Sequence, residues 1–176
     1  MIRCIRLTLS LSIFILSSSH VISYQKQREE REEVASSAVE IVTEENVELP
    51  IKIDFEKLKS QNEDVIAWIY SEGTEINYPI VQGEDNDYYL RRLLNGKWNI
   101  AGTLFIDYRN SSKFNDRNTF VHGHNMLDGS MFSSLLDYQK QEYYDEHPTM
   151  YLLTSDKNYT IEIFAGYKNN RRTFTL

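Results

Sequence analysis

Cysteine is nearly missing from this chain: its 176 residues contain one, Cys4. A single thiol excludes an intramolecular disulfide, a cysteine-based zinc cage and a CxxC redox pair. Proline and glycine are scarce too, at 3 and 7 residues, which sets the chain apart from collagen-like and low-complexity polymers. Positive charge is in deficit, with 19 Lys and Arg against 26 Asp and Glu, a net charge of −7. With no basic stripe to displace counterions from phosphate, nucleic acid is not an expected partner. Aromatic rings are plentiful instead. The 12 Tyr and 8 Phe favour β-rich packing over a helical bundle. A 41% hydrophobic and 26% charged composition is that of an ordinary globular domain, and the length accommodates one such domain with an appendage.

Formal charge is absent from Leu7 to Gln25, directly after Arg3 and Arg6. The core of this run, Leu7 to Leu16, is apolar enough to enter a bilayer, and the two arginines would stay on the cytoplasmic side. Residues 1–25 are therefore expected to be a signal peptide or a signal anchor that contacts the membrane through residues 7–25. The Ser17-x-Ser19 pair offers a small-residue cleavage site. Either way the remainder is expected on the extracytoplasmic side, anchored to the cell membrane or exported. Cys4 precedes the apolar run, outside any lipobox-like position, and reads as an incidental membrane-proximal thiol. Residues 26–50, with Arg28-Glu-Glu-Arg-Glu-Glu33 and then Glu40, Glu44, Glu45 and Glu48, form a charged linker that Glu/Arg pairing can make helical.

Residues 51–176 read as the domain proper. Asp54 can cap a short helix that puts Phe55 and Leu58 on one face. Val65–Tyr70 and Glu75–Gln82 are β-rich runs around a Gly73-containing loop, a hairpin pattern, and Pro79 marks an edge or a bulge. A short helix is expected around Asp87–Leu94, strands over Gly102–Tyr108 and Thr119–His124, and another helical piece over Ser130–Leu136. Met150–Thr154 and Tyr159–Gly166 alternate with period two. Short strands, brief helices and no βαβ rhythm predict a mostly β fold, an antiparallel barrel.

The densest chemistry lies in Asn118-Thr-Phe-Val-His122-Gly-His124-Asn-Met126. Two residues apart on a strand, His122 and His124 face the same way. The pair could clamp a metal, with Asp107, Asp128 or His147 as the third ligand. It could instead supply a general base at a strand end, or be two structural histidines. The strand-end base fits the Gly123 backbone and the Asn125-Met126 turn better.

From Phe55 to Gly166 the chain resembles the class B sortases, membrane-anchored cysteine transpeptidases of Gram-positive bacteria. The matching stretches are Trp68-Ile-Tyr70, Gly73-Thr-Glu-Ile-Asn-Tyr-Pro-Ile-Val-Gln82 and Asn86-Asp-Tyr-Tyr-Leu90. Gly102-Thr-Leu-Phe-Ile-Asp-Tyr-Arg-Asn110, Asn118 to Met126, Gly129-Ser-Met-Phe132 and Ile163-Phe-Ala-Gly-Tyr167 follow in the family's order. The resemblance implies an eight-stranded β-barrel and a thiol protease-like chemistry that uses a His, a Cys and an Arg. The thiolate attacks a sorting-signal peptide to give a thioacyl enzyme, and a cell-wall precursor amine releases it. The imidazole protonates the leaving amine and deprotonates the incoming one. The family histidine falls on His124, while His122 is a neighbour. Asn86 and Leu90 fall on positions that line the sorting-signal groove. No cofactor and no metal are implied.

The resemblance fades near Tyr167, and residues 125–176 contain no cysteine. Arg171 and Arg172 lack the spacing of the family arginine. The expectation is a carboxy-terminally truncated sortase-like domain with an incomplete barrel, inactive as it stands because its histidine has no thiol to activate. Ser130 and Ser133 lie near His124 but lack the Gly-x-Ser-x-Gly turn of a serine nucleophile. The alternative is a non-catalytic binding module for sorting-signal or cell-wall peptides.

Overall fold

The computed structural model describes residues 2–37, 39–41 and 51–168. The chain divides into two units, residues 1–37 and 38–176. The first is one helix, α1 (Ile2–Ser36), in which Arg28 and Glu32, one turn apart, form an ion pair at 2.7 Å. Among the described residues no helix is long and apolar enough to cross a membrane. The charged linker is thus helical as far as Ser36, and its residues 42–50 lie outside the described residues.

In the second unit β1 (Val39–Ile41) pairs antiparallel with β2 (Ile51–Ile53). The Asp54 carboxylate accepts the Lys57 N–H at 2.9 Å and starts α2 (Phe55–Gln61), which buries Leu58 completely and Phe55 in part. The hairpin follows as expected, with β3 (Val65–Tyr70) and β4 (Asn77–Val81). Its loop closes through Ser71 N–H to the Ile76 carbonyl at 2.8 Å, with Gly73 taking the left-handed φ of 72°.

A six-stranded sheet grows outward from this hairpin. On one side lie β5 (Leu104–Ile106) and β6 (Val121–His122), and on the other β7 (Thr149–Leu153) and β8 (Asn158–Glu162), in the order β6-β5-β4-β3-β7-β8. Neighbouring strands are antiparallel except β4 and β5, which run parallel with Ile80 opposite Leu104. That pair is the one exception in a six-stranded sheet that is otherwise antiparallel, in keeping with the mostly antiparallel expectation. Parallel neighbours need a crossover, and residues 82–103 supply one without a full α-helix. Pro79 sits just before the parallel register begins at Ile80, where β4 pairs with β3 and not yet with β5, so its missing N–H leaves no gap between those strands.

The two expected helices over 87–94 and 130–136 are 3-10 turns, at Tyr88–Arg91 and Ser133–Gln139. At the first, the Asp85 carboxylate accepts the N–H groups of both Asp87 and Tyr88 at 2.8 Å, a side-chain cap that winds one tight turn. These bonds hold the Asp85 carboxyl below its ordinary pKa. A last short helix, α3 (Gln141–Glu146), precedes β7. The core comprises Leu58, Val65, Trp68, Ile76, Ile80, Val81, Leu104, Ile106 and Met131.

β8 stops at Glu162 rather than at Gly166. Ile163 makes one more backbone bond, to the Pro148 carbonyl at 3.0 Å, and Phe164 beyond it is 95% exposed. Among the described residues β8 pairs only with β7, and its residues alternate between exposed and half-buried. Its amides are expected to exchange with solvent at least about tenfold faster than those of β3. Equal protection in a hydrogen-exchange measurement would overturn that ranking.

Candidate active site

The strand β6 ends at His122, so the period-two argument stops there and the two histidines part. The His122 ring stacks on Phe105 with centroids 5.0 Å apart, and its Nε2 lies 4.0 Å from Asp107 Oδ2, beyond hydrogen-bond range. His124 turns instead toward the 3-10 turn at Tyr88–Arg91. Its Nε2 is 2.9 Å from the Leu90 carbonyl oxygen and 2.9 Å from Arg91 Nη1. Glycine makes this approach possible. A Cβ on Gly123 would sit 2.3 Å from Leu104 Cδ2 and 2.6 Å from Phe132 Cδ2. After His124 the chain doubles back. Met131, at φ 58°, gives its N–H to the buried Tyr78 hydroxyl at 3.0 Å, and the Phe132 N–H reaches the His124 carbonyl at 2.9 Å.

The turn that meets His124 is itself fastened from beneath. Tyr89 is buried, donates its hydroxyl to Asp64 at 2.6 Å and accepts from the Asn62 amide at 2.8 Å. Burial first, and then the Asp64 hydrogen bond, pushes the Tyr89 phenol well above its ordinary pKa, so it stays a donor. Above the turn, Thr103 N–H bonds the Tyr89 carbonyl at 3.0 Å and the Thr103 hydroxyl bonds the Arg92 carbonyl at 2.8 Å. The side chains of Leu90 and Arg91 therefore leave a turn fixed on two sides.

Asn86 occupies a second cluster. Its amide nitrogen donates to Asp107 Oδ2 at 3.0 Å and its oxygen accepts the Tyr108 N–H at 3.0 Å. Asp107 is buried and also accepts Arg109 Nε at 2.9 Å, Nη2 at 2.7 Å and the Arg109 N–H at 2.9 Å. The Arg109 hydrogen bonds hold the Asp107 carboxyl well below the usual carboxylate range, and Asp107 in turn pushes the guanidinium up. The fold thus brings Leu90 to His124, and joins Asn86 to the neighbourhood of His122.

The other residues considered as partners make contacts of their own. The Ser130 hydroxyl is engaged with the Asp128 carboxylate. The His147 ring packs against Tyr143, with Cε1 only 2.7 Å from where a Gly73 Cβ would stand. Among the described residues no group of three His, Cys, Asp or Glu is placed to hold a metal ion. Arg171 and Arg172 lie outside the described residues. Arg91 is the contact that sequence reasoning missed. Its neighbour Arg92 carries the same charge but points elsewhere, over the Tyr88 ring and onto the Gly96 carbonyl. Successive positions on a 3-10 turn point about 120° apart, and that rotation sends the two arginines to different partners.

No family model matches the chain. It is 42% identical over 123 residues to sortase B of Listeria monocytogenes, covering 70% of this chain and 50% of that protein. To sortase B of Staphylococcus aureus it is 34% identical over 122 residues, 69% of this chain and 50% of that one. The chain spans about half the length of these curated relatives. Among solved structures, sortase B from B. anthracis in complex with AAEK1 superposes with a TM-score of 0.70 at 36% identity, over 88% of this chain and 73% of that chain. Identity and superposition agree on one group of proteins, and the chain belongs to the class B sortase family.

Proposed function

We propose that His124 is the general acid/base of a sortase-type transpeptidation site, and that these 176 residues on their own complete no turnover. The observation that carries the reading is the half-buried imidazole just past the end of β6, held at Nε2, with no hydrogen-bond partner for Nδ1 among the described residues. A ring fixed at one nitrogen can exchange protons at the other. The substrate class is a sorting-signal peptide of a surface protein, and the acceptor is a cell-wall precursor amine. Leu90, whose carbonyl meets the ring, and Asn86, braced by Asp107, are the proposed groove residues. The uncharged stretch at residues 7–25, behind Arg3 and Arg6, is the proposed membrane segment, with residues 51–176 on the extracytoplasmic side. Cys4, the one cysteine of these 176 residues, precedes that stretch and falls on the cytoplasmic side of the proposed membrane segment.

Without sulfur the acyl-enzyme cannot form, because the bond to substrate is made by the thiolate and not by the ring. The groove does not depend on that atom, so peptide capture without cutting is the expected behaviour. The test incubates the 176-residue chain with a labelled sorting-signal peptide and an amine, following binding by anisotropy and products by mass spectrometry. Saturable binding with no cleaved peptide is expected. Turnover that disappears in His124→Ala would overturn the proposed inertness, and absence of binding would remove the groove assignment.

A further inference from the structure

One nitrogen, His124 Nε2, has two partners of opposite kind. Arg91 Nη1 is a permanent donor and can bond only a bare lone pair on Nε2. The Leu90 carbonyl is an acceptor and can bond only an N–H on Nε2. Both lie at 2.9 Å, so at any instant the ring satisfies one of them and not the other. Arg91 has a second attachment, since Nη1 also reaches the Ile100 carbonyl, and it can release the ring without losing all its partners. Among the described residues Nδ1 has no hydrogen-bond partner.

We propose that Arg91 is a positioning residue that sets the tautomer of His124, placing the proton of the neutral ring on Nδ1. A guanidinium-to-nitrogen hydrogen bond is charge-assisted and roughly twice as strong as the neutral N–H to carbonyl bond that competes with it. In the resting ring Arg91 therefore caps Nε2 and Nδ1 carries the hydrogen. When the ring takes a second proton both nitrogens become donors, Arg91 withdraws to Ile100, and Nε2–H passes to the Leu90 carbonyl. Loss of the Nδ1 proton from that state leaves Nε2–H on Leu90 and a bare Nδ1, the form that can accept a proton. Each proton is accounted for at a named nitrogen. Arg91 opposes the base form, and Leu90 supports it.

This deepens the acid/base reading of His124, but its test needs no turnover. The full chain, labelled with nitrogen-15 in histidine, is examined by long-range proton–nitrogen correlation at a pH where the imidazoles are neutral. Wild type is expected to show His124 with Nδ1 protonated and Nε2 bare. In Arg91→Met, which keeps the bulk and removes the donor, the ratio is expected to move about tenfold or more toward Nε2–H. Arg91→Lys, which restores a donor, should recover part of the wild-type ratio. The signals of His122 and His147 should stay in place as internal controls of the fold. A wild-type ring already in the Nε2–H form, or an unchanged ratio in a folded Arg91→Met, would overturn the proposal. If that variant does not fold, the wild-type spectrum alone still decides. Failure to cleave or bind peptide bears on the transpeptidase reading and leaves this result untouched.

Discussion

Gly102→Ala is expected to destabilise the domain by about 2–4 kcal/mol and to release the turn that faces His124. Gly102 is buried at φ +60°, a left-handed conformation that costs an L side chain about 1–2 kcal/mol. Space is the larger difficulty. A Cβ there would lie 2.3 Å from the Tyr89 carbonyl oxygen and 2.6 Å from that of Leu90. Both obstacles are backbone, so no rotamer change relieves them. Residues 99–103 would have to retreat, giving up the Thr103 N–H bond to Tyr89 and the hold of Ile100 on Arg91. Gly129→Ala is the control, because Gly129 has a comparable φ of +84° with nothing within 4 Å of the added atom. It should lose only the dihedral cost, about 1–2 kcal/mol. Urea unfolding of the three proteins measures both, and equal midpoints for the two variants would refute the close-approach argument. Reduced peptide binding should follow in Gly102→Ala alone.

Much of the frame was legible because it is written locally. Asp54 three residues before Lys57, and two β-rich runs around Gly73, state α2 and the β3–β4 hairpin in neighbouring residues. The match from Phe55 to Gly166 carried the family. What stayed hidden depends on backbone geometry and on partners that residue type and spacing do not name. Asp85 reaches forward to the N–H groups of Asp87 and Tyr88 and winds one 3-10 turn where the sequence predicts a short helix over 87–94. The parallel β4–β5 pair follows from how residues 82–103 cross over, not from either strand's own pattern. The HxH motif misled through its boundary, since a same-face rule holds only while the strand lasts, and β6 ends at His122. Arg91 could not be told from Arg92 by charge or spacing. The groove position of Asn86 follows from the resemblance alone, and no local signal announces its hydrogen bonds to the Asp107 carboxylate and the Tyr108 N–H.

The largest loss in stability is expected from Trp68→Ala, about 3–5 kcal/mol. Trp68 is fully buried at the middle of β3, opposite Pro79 on β4 and Leu153 on β7, at the centre of the sheet. Its indole N–H is satisfied by Asn77 Oδ1 at 2.8 Å, which lets a polar group stay inside. Truncation would open a cavity in the core against the face of the sheet, where the surrounding side chains can close it only in part. Against the 5–15 kcal/mol that holds a typical domain, such a loss leaves little reserve. Trp68→Phe separates the contributions: it keeps most of the ring and forfeits one hydrogen bond, which is worth about 1 kcal/mol. Trp98, 56% exposed, should cost under about 1 kcal/mol when cut to Ala, although composition alone does not distinguish the two tryptophans. Because β4, β5 and β6 extend from β3 toward His124, the Trp68→Ala protein should also lose peptide binding as its sheet loosens. Denaturation curves placing Trp68→Ala within 1 kcal/mol of wild type would mean that the sheet is not organised around this ring.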